Sequence, residues 1–136
     1  MSLIGRLDNL ILEARDPLVL ARFYSALLGL PITRVDGDPP ACWVDIGNER
    51  ANRMSFQYAP GHQPPRWPDP ASSMQFHLDI EVDDIEEAEP KVLALGATRL
   101  PWDSAEEEAR GLREPGNGGF RVFADPAGHP FCLIWG

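Results

Sequence analysis

Basic residues are scarce in this chain: 12 Lys and Arg stand against 21 Asp and Glu over 136 residues, a formal charge of −9 at pH 7. Proteins that grip phosphate backbones concentrate cations to displace counterions, so this balance argues against nucleic acid as a partner. Cysteine is nearly absent too. Cys42 and Cys132 are too far apart for a zinc-knuckle spacing and too few for a disulfide scaffold, which predicts reduced thiols. No apolar run approaches the roughly eighteen residues of a membrane span, and the opening Met1-Ser2-Leu3-Ile4-Gly5-Arg6 lacks a signal-peptide core. The expectation is a cytoplasmic protein without a membrane partner. The length suits one domain over 1–136, with 43% hydrophobic and 24% charged residues, an ordinary globular composition.

What the chain does contain is one pattern written twice. Asn9-Leu10-Ile11-Leu12-Glu13-Ala14-Arg15-Asp16 leads into a helix-like stretch that ends at Leu28-Gly29. His77-Leu78-Asp79-Ile80-Glu81-Val82-Asp83-Asp84 leads into another that ends at Leu95-Gly96, at an offset of 67 to 68 residues. That offset exceeds solenoid periods and points to one duplicated supersecondary unit. The fold class read from it is α+β, two β-α-β-β-β modules whose paired curved mixed sheets surround a cleft. A ligand belongs in such a cleft. The modules fall at about 5–59 and 74–136, joined by a proline-rich linker at 60–73 with Pro60, Pro64, Pro65, Pro68 and Pro70,.

Within module one, residues 7–14 alternate as a strand, with Leu10, Leu12 and Ala14 on one side and Asn9, Ile11 and Glu13 on the other,. Asp16-Pro17 starts a helix over 17–28, because Asp can accept from the orphan amides and Pro loses nothing at the first helical position. Strands are expected near 31–35, 41–47 and 53–58, separated by turns at Gly37-Asp38-Pro39-Pro40 and Gly47-Asn48-Glu49-Arg50. In module two, Gln75, His77, Asp79 and Glu81 share one face of a strand and Phe76, Leu78, Ile80 and Val82 the other,. Asp83 and Glu86 resemble a capping box. The helix behind them carries Ile85, Ala88, Val92 and Leu95 as its stripe, with Pro90 predicting a kink or a late start. A strand at 97–100, an acidic solvated loop from Asp103 to Gly119, and a hairpin of 120–124 with 130–135 complete the module.

These pieces resemble the vicinal oxygen chelate superfamily, in its glyoxalase-like and bleomycin-resistance-like branch. The resemblance is carried by Asp16-Pro17 with Ala21-Arg22-Phe23-Tyr24 and Leu27-Leu28-Gly29, and by His77-Leu78-Asp79 with Val82-Asp83-Asp84. Leu95-Gly96-Ala97 and Phe123-Ala124-Asp125-Pro126-Ala127-Gly128-His129-Pro130-Phe131 complete it. Metal-dependent members hold a divalent ion by one side chain from each of four strands, typically His or Gln, Glu, His and Glu. By position, the resemblance puts the first ligand on Asn9, the second on Ser55 or Gln57, the third on His77 and the fourth on Cys132. Of these, His77 alone is a ligand of the expected kind. Asn9 offers a neutral amide, and Cys132 replaces a hard anionic oxygen, so no metal and no cofactor are expected.

The functional expectation is therefore a small-molecule binding protein whose ligand contacts Asn9, Ser55 or Gln57, His77, Asp79 and Cys132. Asp79 shares the His77 face and is placed to pair with it. The alternative is a glyoxalase-like lyase or isomerase with His77 as base or metal ligand, and no catalytic residue is assigned. Cys132 reads as a small buried hydrophobe, His129 as structural and His62 as part of the linker. Trp67 and Trp102, in loops, are placed to cap a cleft or a dimer seam. The resemblance further implies a homodimer.

Overall fold

The alternation seen in the sequence places an apolar face on each sheet that only a helix can cover. The computed structural model describes residues 4–48 and 52–136, so Met1-Ser2-Leu3 and the Glu49-Arg50 part of the expected turn lie outside the described residues. Contacts divide the chain into two units, residues 1–62 and 63–136. The division falls inside the proline-rich stretch. Each unit carries one four-stranded mixed sheet, and the two repeat the same order, so the α+β fold of two similar β-α-β-β-β modules is what the chain adopts.

In module one, β1 (Leu10–Ala14) leads into α1 (Pro17–Leu28). β2 (Ile32–Asp38), β3 (Ala41–Gly47) and β4 (Asn52–Tyr58) follow, in the sheet order β1-β4-β3-β2. Asp16 caps α1 by accepting from the Val19 amide, and Gly29 ends it at φ +67°, where a side chain would be strained. Leu20, Phe23 and Tyr24 of α1 are buried together with Val44, Ile46 and Phe56. Tyr24 stacks on Phe56 with ring centres 5.8 Å apart. β1 and β4 run parallel, with Ile11 beside Ser55 and Glu13 beside Gln57.

Module two repeats this with β5 (Leu78–Glu81), α2 (Ile85–Leu95), β6 (Thr98–Asp103), α3 (Ser104–Ala109), β7 (Gly119–Ala124) and β8 (Pro130–Trp135). Its sheet order is β5-β8-β7-β6. Phe123, Phe131 and Leu133 are fully buried, and Phe123 stacks on Phe131 at 5.7 Å. The layer between helix and sheet is partly ionic. Glu89 of α2 reaches Arg99 at 3.2 Å and Arg121 at 3.0 Å, while Arg99 also holds Asp103 at 2.7 Å. These side chains are between 22% and 31% exposed, and the Arg121 guanidinium is raised above its ordinary value by Glu86 and Glu89 against the opposing pull of burial.

Several boundaries differ from expectation, each for a local reason. β1 starts at Leu10, and Leu7 is 95% exposed. β2 continues through Gly37-Asp38, because Gly37 at φ +96° lets the hairpin close on Pro39-Pro40 alone, with Asp38 opposite Ala41. β5 begins at Leu78, opposite Phe131. Ahead of it the chain turns at Gln75 (φ +66°), the next residue along β8 is a proline with no amide to offer, and Phe76 is exposed,. The cap of α2 is Asp84 rather than Asp83, accepting from the Glu86 and Glu87 amides, and the helix starts at Ile85 and continues past Pro90 to Leu95. The linker contains a short 3-10 turn at Pro70–Ser72. The acidic loop contains α3, capped by Asp103 accepting from the Glu106 amide, since glutamates in a first turn complement the helix dipole.

The ionic layer predicts a specific weakness. Glu89→Ala leaves Arg99 and Arg121 facing each other across the α2 contact, and we expect a loss of about 2 kcal/mol in urea denaturation. A loss under about 0.5 kcal/mol would mean that water already screens the cluster.

Candidate functional site

In each module the sheet face turned away from its helix carries polar side chains, and module two has its ionic cluster on the helix side as well. In module one, Asn9 donates to Ser55 Oγ and Ser55 donates to Asp45, which also accepts from Trp43 Nε1 at 2.6 Å. Asn9 Oδ1 accepts from the Leu10 amide at 2.9 Å. Ser55 is fully buried and Asp45 is 4% exposed. Gln57 lies one pleat further along, exposed. The sequence reading named Asn9, Ser55 and Gln57 but not Asp45 or Trp43, the acceptor and donor that complete this network. The alternation of β3 was the available signal, since Trp43 and Asp45 share its second face.

Module two brings His77, Asp79 and Cys132 together. Asp79 and Cys132 are register partners on the parallel strands β5 and β8, so their side chains emerge side by side. His77 precedes Asp79 by two residues, and its Nε2 lies 3.1 Å from Asp79 Oδ1. The donor atoms of all three lie within 4.8 Å of one another. Burial first, then the Asp79 charge and a hydrogen bond with Asp79, push the Cys132 thiol up to about 11. It is therefore protonated at neutral pH and is no nucleophile there.

These residues form the floor of a cavity of about 510 Å³, within the range that takes small molecules. Its walls are aromatic: Trp67, Trp102, Phe120 and Trp135 all line it. Trp67 Nε1 donates to the Pro101 carbonyl at 2.8 Å, and Trp102 Nε1 donates to Glu107 at 3.1 Å. Trp102 sits at φ +87°, a backbone conformation that costs on the order of 1–3 kcal/mol for a non-glycine residue. The Glu107 bond and the Arg110 guanidinium 5.0 Å from the ring hold it there. Trp135 packs over Gly119, where a Cβ would lie 2.5 Å from the indole. The sequence reading marked Trp67 and Trp102 as caps. Trp135, Glu107 and Arg113 carry no such mark, because an acidic run reads locally as a solvated face and only the fold brings the last two to the cavity.

The donors do not fit the hard divalent ion that the resemblance implies. The first position holds an amide donating to Ser55, the second either that hydroxyl, bonded to Asp45, or the neutral amide of Gln57, and the fourth a protonated thiol. The nitrogen, oxygen and sulfur of the module-two trio are of the kind zinc accepts. Asp79, however, is engaged with both of its neighbours, and the thiol would first have to release its proton,.

Comparison with known proteins agrees with this architecture. The chain matches the glyoxalase-like domain family over residues 9–134. No curated protein sequence matches it significantly. Among solved structures, it is similar to a glyoxalase/bleomycin resistance protein/dioxygenase family enzyme from Burkholderia phytofirmans PsJN. That pair has 17% identity, coverage of 96% of this chain and 98% of that one, and a TM-score of 0.63. It is also similar to the fosfomycin resistance protein FosX from Listeria monocytogenes (14% identity, 98% and 95% coverage, TM-score 0.65). A glyoxalase family protein from Enterococcus faecalis gives 18% identity, 96% and 98% coverage, and a TM-score of 0.62. The Listeria protein has also been crystallised with Mn(II) and sulfate. At these identities the structures speak for the fold alone, and the family match covers nearly the whole sequence. The chain belongs to the glyoxalase-like domain family, within the vicinal oxygen chelate superfamily.

Proposed function

We propose that this protein binds a small apolar or aromatic molecule in the cavity of module two, without the help of a divalent ion. The aromatic lining is the observation that carries this reading. Trp67, Trp102, Phe120 and Trp135 surround about 510 Å³, and flat aromatic surface desolvates a ligand at small entropic cost. His77 and Asp79 supply polar anchors at the floor. Trp102 supports the reading further, since a backbone held at positive φ by Glu107 is a wall positioned before any ligand arrives,.

A second reading has one observation in its favour. The His77 ring is oriented by Asp79 at 3.1 Å, as a general base in a glyoxalase-like lyase or isomerase would be. The binding reading needs nothing more than the cavity, whereas the enzymatic one also needs a substrate held with an acidic C–H beside His77. The proposal further includes a homodimer, carried over from the family resemblance, and a cytoplasmic location, carried over from the sequence. No described helix is long and apolar enough to cross a membrane, and Phe76, 74% exposed, offers apolar surface for a second copy.

Three outcomes are expected. The uncharged fluorescent probe N-phenyl-1-naphthylamine should bind at one equivalent per chain, and Trp102→Ala should weaken it about tenfold by removing one aromatic wall. Unchanged affinity in that variant would place the binding elsewhere. Elemental analysis of protein purified without chelator should find no stoichiometric divalent metal, in the native chain or in His77→Ala. One equivalent in the native chain, lost on His77→Ala, would overturn the metal-free reading. Sedimentation velocity should give twice the mass of the chain, and Phe76→Asp should shift it toward the monomer; a native monomer would remove the dimer from the proposal.

A further inference from the structure

Asp79, Glu107, Arg113 and His77 line the cavity, and they differ in how far contacts within the protein already commit them. Asp79 is engaged by the His77 ring and by the Cys132 thiol. Glu107 Oε2 accepts from Trp102 Nε1. Both carboxylates are already in use as acceptors.

Arg113 is different. Residues 63–136 hold five arginines, and Arg66, Arg99, Arg110 and Arg121 each pair with a carboxylate at 2.7 to 3.5 Å. Among the described residues Arg113 has no such partner, in a chain with 21 acidic residues against 12 basic ones. Its guanidinium carbon lies 5.8 Å from the centre of the Phe120 ring, and both residues line the cavity. Contact with a ring face uses none of the five N–H donors of the guanidinium. A planar fork of donors beside an aromatic wall suits a ligand that carries a ring and an oxyanion together.

We infer that the ligand of this cavity is an aromatic anion, with a flat ring system among the indoles and one carboxylate or similar oxyanion on Arg113. The inference rests on the binding role proposed above and narrows it to one charge class. The net charge of −9 repels anions at long range, so the preference has to come from a local cation. Arg113 is the arginine at the cavity available for it.

A charge series on one ring tests this. 2-Naphthoate, 2-naphthamide and 2-naphthylmethylammonium are titrated into the full chain at neutral pH by calorimetry, with circular dichroism confirming that each variant is folded. Naphthoate should bind about tenfold more tightly than the amide, as expected for a charge-assisted pair at a partly solvated site, and the cation more weakly than the amide. Arg113→Gln should abolish the naphthoate advantage, so that naphthoate and amide bind that variant with the same affinity to within about twofold. Arg34→Gln, in module one, should keep the preference. Equal binding of naphthoate and amide, tighter binding of the cation, or a preference that survives Arg113→Gln overturns the charge assignment while ring binding itself stands. No binding by any of the three probes to folded protein overturns the cavity reading beneath it.

Discussion

Each sheet has one face that must be hidden, and the rest of the molecule follows from that requirement. Because side chains alternate along a strand, the residues that seal β1 against α1 and β5 against α2 leave their neighbours on the opposite side. In both modules the strand before the helix pairs in parallel with the last strand of the module. Residues distant in sequence are thereby fixed as lateral neighbours: Ile11 with Ser55, and Asp79 with Cys132. Neither α1 nor α2 contributes a side chain to the cavity. They determine which side chains are left to face it.

The two modules use this arrangement differently. Module one closes its polar side chains into a chain of bonds from Asn9 through Ser55 to Asp45 and Trp43, so groups that the resemblance assigns to a metal are used for cohesion. Buried polar atoms satisfied in this way fix one arrangement of the sheet. Module two leaves its polar side chains at the floor of an open cavity and places charge behind the sheet, where Glu89 ties α2 to β6 and β7. Both modules repeat one sequence pattern, and the difference lies in where each spends its charged side chains.

Much of this was legible because short-range rules govern it. Asp16, Pro17 and Gly29 delimit α1 by capping chemistry alone, and the alternation of β5 puts His77 and Asp79 on one face, whereas the meeting of His77 with Cys132 was implied by the family resemblance. What escaped depended on partners distant in sequence. The start of β5 is set by the proline of β8, and the cap of α2 by which of two adjacent aspartates meets the amides of Glu86 and Glu87. The glutamate run at 106–108 was misread because local charge suggests solvent. Placed after the Asp103 cap it forms α3 instead, and α3 carries Glu107 to the cavity. Arg113 could not be singled out from sequence, since its distinction from the other arginines of residues 63–136 lies in the carboxylate pairs that they form and that it, among the described residues, does not.

Gly119 shows how little material shapes the cavity. A single added carbon there would meet Ser104 Oγ and the Trp135 indole at 2.4 and 2.5 Å. Ser104 is buried and bonded to the Phe120 backbone at 3.1 Å, so the indole is the part able to yield. Even the smallest side chain at this point of β7 would therefore press on the indole of a cavity-lining residue and reshape the wall without bringing any new chemistry to it.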